Sequence, residues 1–156
     1  MPTTSAAFRQ GRFAARSSDT LRALLTIAHP DLATVRLVDD VFTPLRSNGQ
    51  SFENGRRFDA TLPIDDDRAP RGEIVIDDRF GNLGRSLIAL DSPPTARIQM
   101  VLASAPDTVE VDFGALEMRD LVATRVQVSA TLGLPDLARE SFPEHSFTPE
   151  FAPGVF

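Results

Sequence analysis

Asp65, Asp66 and Asp67 stand side by side, and carboxylates this close could supply oxygen ligands to a calcium or magnesium ion. Adjacent residues of an extended chain point to opposite faces, however, and the triplet lacks the ligand spacing and the glycine of a calcium-binding loop. It reads as a solvated turn, with a metal-dependent hydrolase or a carbohydrate-binding module as the alternative it would serve. Asp39-Asp40 and Asp77-Asp78 fall where extended runs end and read the same way. If a sheet brought Asp39 beside Asp77, like-charge repulsion would raise one pKa, although nothing in the order of residues requires that contact.

His29 precedes Pro30 at a turn and His145 lies near the C-terminus; neither has a second histidine or a cysteine at metal-ligand spacing. A Ser-His-Asp triad can be imagined from such common residues, yet no G-x-S-x-G elbow singles out one serine. Gly81-Asn82-Leu83-Gly84 is too short for a phosphate loop and lacks its closing Lys and hydroxyl residue, so it reads as a turn. The chain holds no cysteine, which excludes disulfides, thiolate zinc sites, iron–sulfur clusters and cysteine nucleophiles. No catalytic residue, cofactor site or metal-ligand set emerges, and the expectation is a protein that is not an enzyme.

All 16 cations are arginine, and the net charge is −6. An acidic chain is not drawn nonspecifically to DNA or to anionic lipid. Without Tyr or Trp it offers no stacking platform for single-stranded nucleic acid. No run approaches the ~20 apolar residues of a membrane span, and the first residues lack the apolar centre of a secretory signal. Synthesis in a cytoplasm, without membrane insertion, is expected.

What must position such residues is a chain of 156 residues, 42% apolar and 24% charged, which suits one globular domain with its own core. Residues 4–16 carry the pattern of a short helix anchored by Phe8, and 1–18 make an N-terminal helix or arm. From 19 to 139, apolar residues alternate or run in short blocks between Pro, Gly, Asn and Asp, the pattern of strands and turns. Strands are expected at 21–29, 35–40, 56–63, 71–78, 96–104, 107–113, 115–124 and 125–133, the last with Val126, Val128, Ala130 and Leu132 on its buried face. Asn48-Gly49 and Asn54-Gly55 mark left-handed turns around a very short strand carrying Phe52. One or two helical turns are expected after Gly84. The sum is a mainly β protein: a single β-sandwich or barrel of about eight strands, with a short N-terminal helix, one short internal helix and an extended C-terminal arm.

That arm is "ESFPEHSFTPEFAPGVF", residues 140–156. Pro143, Pro149 and Pro153 exclude a continuous helix and a central strand, so the segment runs extended. Phe142, Phe147, Phe151 and Phe156 would each gain about 1.5–3 kcal/mol on burial. An extended arm has little interior of its own. The rings therefore either fold back on their own domain or dock on a neighbouring subunit, which makes Phe142, Phe147, Pro149, Phe151, Pro153 and Phe156 candidate interface residues. Edges at 107–113 or 115–124 would accept a neighbour's strand.

The segments "LLTIAHPDLATVRLVDD", "SNGQSFE", "FDATLPIDDD", "PRGEIVIDD", "PPTARIQMVLASAPDTVE", "LEMRDLV", "VSATL" and the arm, in this order, resemble a family of small phage tail proteins. Genes of that family lie after the tape-measure gene and next to a cell-wall peptidase gene. The resemblance covers nearly the whole chain, and the closing pattern F-P, F-T-P, F-x-P-G-x-F is its most specific part. It implies a structural virion protein of the tail tip or baseplate, similar to the distal tail protein, forming a hexameric ring that joins the tail tube to the hub. A trimeric hub component, similar to the N-terminal part of the baseplate hub, is the alternative. Implied partners are copies of the chain itself, the tail tube protein, the tape-measure protein and the baseplate hub, with DNA only in transit through the lumen. Phe52 stands where relatives tend to carry Tyr, and Val155 where they tend to carry Leu. The iron–sulfur site of some hub proteins cannot be carried over to a chain without cysteine, and the resemblance carries over no catalytic residue.

Overall fold

Nine strands and one helix form in residues 20–40, 42–61, 72–79 and 81–134, the residues that the computed structural model describes. The expected helix at 4–16, the acidic triplet at 65–67, His145 and the arm at 140–156 with its six candidate interface residues lie outside them. The mainly β reading holds, with one strand more than expected.

β1 (Leu21–His29) and β2 (Leu32–Val38) make a hairpin whose turn is Pro30-Asp31. Because that turn takes only two residues, Leu32 pairs directly with His29, and β2 starts three residues before the expected 35. Next comes a small hairpin of β3 (Leu45–Ser47) and β4 (Gln50–Phe52). Its turn places Asn48 at φ 47° and Gly49 at φ 76°, the paired left-handed conformation that Asn-Gly favours. β5 (Phe58–Thr61), β6 (Gly72–Asp77), the helix α1 (Asn82–Ile88), β7 (Thr95–Leu102), β8 (Ala105–Ala123) and β9 (Gln127–Gly133) follow. The main sheet has the order β2-β1-β7-β8-β9-β6-β5, every neighbouring pair antiparallel, and β3-β4 stands as a second sheet.

The two strands expected at 107–113 and 115–124 are one strand, because Gly114 takes φ 75° and inserts a bulge instead of a turn. Opposite Arg97 and Gln99 stand Ala115 and Asp112, so β8 carries one residue too many there. Asp112 holds the bulge: its carboxylate accepts the Gly114 N–H at 2.9 Å, Gln99 Nε2 at 3.0 Å and the Arg97 guanidinium. Another extra residue falls at Asp120, φ 51°, between the Arg119 and Val122 pairs. Bulges bend a strand and raise its twist. β8 pairs with β7 up to Glu117 and with β9 from Glu117 onward, so it leaves one layer and enters the other.

Folding the sheet over in this way brings its inward face against itself. Leu25, Ile27 and Ile98 from one half meet Ile74, Ile76, Met118, Val128, Ala130 and Leu132 from the other, all buried. Each such large side chain contributes about 1.5–3 kcal/mol by leaving water. On the back of the first layer Leu24, Val38 and Val101 make a second cluster, which Phe52 of the small hairpin covers. α1 closes the main core with Leu83 and Leu87. It begins before Gly84 and includes it, because the helix must lie almost in contact with the sheet. A Cβ at Gly84 would stand 2.8 Å from Ala123 Cβ and 3.0 Å from Val128 Cγ2.

Candidate functional site

Asp78 follows β6 and is fully buried, where the sequence suggested a solvated turn. Local bonding explains the difference. Its Oδ2 accepts the Gly84 N–H at 2.8 Å, its N–H donates to the Val126 carbonyl at 2.7 Å, and its own carbonyl accepts the Gly81 N–H at 2.9 Å. One residue thereby ties the end of β6, the first turn of α1 and the β8–β9 turn. Oδ1 stands 3.8 Å from Arg56 Nε, and neither atom has a hydrogen-bond partner among the described residues. Charge counting cannot separate this carboxylate from a solvated one. The usable signal was its place shortly before a helical segment, whose first N–H groups need acceptors.

This knot fixes a groove of about 970 Å³ between α1 and the β8–β9 turn. Arg79, Arg85 and Arg125 stand around it, with Ile88 and Val126 as its exposed apolar surface, 55% and 58% accessible. Val126 was expected to face inward on the last strand. That strand begins two residues later than expected, however, so Val126 sits in the turn and faces out while Val128, Ala130 and Leu132 are buried. Among the described residues Arg22 pairs with Asp40 at 2.8 Å, Arg119 with Glu117 at 2.7 Å, and Arg97 with Asp112. The three groove arginines form no such pair among them. The groove is therefore cationic and apolar together, a surface suited to an anionic apolar ligand.

A second cavity, of about 360 Å³, lies between β5 and the β1–β7–β8 layer, lined by Ala23, Asp39, Phe58, Asp59, Met100 and Phe113. Burial pushes the Asp39 carboxyl above its ordinary range, while the Ala23 N–H and the Arg22 charge act the other way. The like charge that acts on it is Asp40, not Asp77, which lies opposite Gln127 in the β6–β9 ladder. Asp39 Oδ1 is buried without a hydrogen-bond partner among the described residues.

At the far end of β1, His29 and Ser92 meet, a pairing that no local pattern of residues signals. His29 Nε2 lies 2.7 Å from Ser92 Oγ, and Asp31 Oδ2 lies 3.7 Å from Nδ1. The atoms trace the outline of a Ser-His-Asp triad, but the proton sits on the wrong nitrogen. Nδ1 accepts the backbone N–H of Asp31 at 3.1 Å, so in the neutral ring Nε2 carries the hydrogen and donates it to Ser92. A general base needs that nitrogen free. The cluster pins the end of β1 to the loop before β7. Among the described residues no group of three acidic or imidazole side chains is placed to hold a metal, and no helix is long and apolar enough to cross a membrane.

No family model and no curated protein matches the sequence. Three solved chains match its structure, among them a chain in the virion of native gene transfer agent (GTA) particle, with a TM-score of 0.67 and 13% identity. The match covers 93% of this chain and 50% of that one, so this chain spans half the length of its solved neighbour. A likeness at this identity is one of fold.

Proposed function

We propose that this chain is a non-enzymatic structural subunit of a phage-like virion, placed at the tail tip as a ring that joins the tail tube to the hub. The observation that carries this reading is the likeness of fold, over nearly the full length, to a chain of a gene transfer agent virion. The order of sequence segments that resembles small phage tail proteins supports it independently. In this reading the partners are five further copies of the chain, the tail tube protein, the tape-measure protein and the hub, with DNA passing only through the lumen. The C-terminal arm, through Phe142, Phe147, Phe151 and Phe156, makes the contact between copies, a head-to-tail contact that closes into a ring. The resemblance to the N-terminal part of the baseplate hub makes a trimeric hub component the second reading. Native mass measurement of the full-length protein separates them: six copies of 17.0 kDa support the ring and three support the hub. A chain that stays monomeric at all concentrations contradicts both.

A further inference from the structure

We infer that the cationic groove between α1 and the β8–β9 turn receives the C-terminal arm of a second copy of this chain. The inference rests on the subunit reading above and names the surface that the arm occupies. Residues 140–156 carry Glu140, Glu144 and Glu150, no arginine, and four phenylalanines. The groove offers the complement: Arg79, Arg85 and Arg125 without ion pairs among the described residues, beside the exposed Ile88 and Val126. Guanidinium groups are suited to carboxylates, and apolar surface to phenylalanine rings. The second cavity has the opposite character, since Asp39 and Asp59 line it and an acidic arm would meet like charge there.

Docking on the arm's own domain would require the chain to turn back along the strand that it has just left. β9 starts beside the groove at Gln127 and ends at Gly133, and the described chain leaves the sheet at Leu134. An arm returning to its own groove would retrace the whole strand, about 23 Å at roughly 3.3 Å per residue. Residues 135–141, fully stretched, would be consumed in bringing Phe142 to the rim. A neighbour's arm carries no such constraint, and each copy both gives an arm and receives one.

The test uses two charge-reversed forms of the full-length chain, Arg85→Glu with Arg125→Glu and Glu144→Arg with Glu150→Arg, followed by sedimentation over a concentration series. Arg85 and Arg125 are exposed, so the first form keeps its fold, and far-UV circular dichroism and the unfolding midpoint verify this for both. Each form alone is expected to associate about tenfold or more weakly than the parent. An equimolar mixture is expected to recover association, because each reversed groove then meets a reversed arm. If the arm form weakens association and the groove form does not, or if mixing fails to restore it, the groove assignment is overturned while the arm contact stands. If the arm form lowers the unfolding midpoint without changing association, the arm docks on its own domain and the inference falls. A parent chain that never associates removes the subunit reading itself.

Discussion

Asp78→Ala is the substitution that probes the architecture most sharply. It deletes the acceptor of the Gly84 N–H at the start of α1, a fully buried position. An unsatisfied buried donor costs about 1–3 kcal/mol. It also removes the carboxylate facing the partly buried Arg56, whose Nε has no hydrogen-bond partner among the described residues. Breaking a buried pair by deleting one member costs about 3–5 kcal/mol, and the 3.8 Å separation places this pair at the lower end. The two effects share one side chain and do not add in full, so the expected loss is about 3 kcal/mol. At 2–4 °C per kcal/mol for a chain of this size, the thermal midpoint should fall by roughly 6–12 °C. The assay is urea and thermal unfolding of the full-length protein followed by circular dichroism. Asp78→Asn keeps an oxygen for the Gly84 N–H and should recover part of the loss. A midpoint for Asp78→Ala within 1 °C of the parent would refute the claim that this residue ties β6, α1 and the β8–β9 turn together.

The pKa directions give a matched pair of pH predictions. Asp112 is held below its ordinary range by the Arg97 hydrogen bonds, so its stabilising contribution is present above the unfolded-state pKa near 3.8 and is lost as pH falls through the lower folded value. Asp112→Asn should therefore lower stability at pH 7 and have a smaller effect near pH 2, read from unfolding midpoints at the two values. Asp39 has the opposite sign, since burial raises its folded pKa and the folded state holds the proton longer. Stability falls as pH rises from about 3.8 through that folded value, and Asp39→Asn should raise the neutral-pH midpoint relative to the parent while leaving the acid midpoint little changed. Ser92→Ala should cost about 1 kcal/mol through its lost bond to His29 and change no esterase rate, measured on an activated ester. An ester-hydrolysis rate in the parent that vanishes in the variant would contradict the tautomer deduced for His29.

Much of the fold was legible because the local signals agree with one another. The expected strand at 21–29 is β1 to the residue, and Asn48-Gly49 makes the turn that its left-handed preference demands. The Ile-Val-Ile block located β6 and period-two alternation located β9, whose inward positions Ile74, Ile76, Val128, Ala130 and Leu132 are buried. The misreadings share a cause, which is that tertiary contact decides what a local signal means. Gly114 has the composition of a turn, but the ladder with β7 continues past it, so its positive φ makes a bulge. Gly84 looks like a helix boundary, yet it lies inside α1 because Ala123 and Val128 leave no room for a side chain. Nothing in its type separates Asp78 from the other paired aspartates; only the approach of α1 and Val126 shows it to be a buried acceptor. Pairings such as His29 with Ser92, separated by 63 positions, leave no mark in sequence at all. The groove of Arg79, Arg85 and Arg125 was equally hidden, since its cations come from two segments far apart along the chain.

The place of this chain in assembled particles tests most directly the proposal that it belongs to the tail tip of a phage-like virion. Gold labelling of a tagged full-length chain in purified particles, imaged by electron microscopy, is expected to put label at the distal end of the tail and nowhere else. Label on the head, or particles that assemble and carry none, would contradict it.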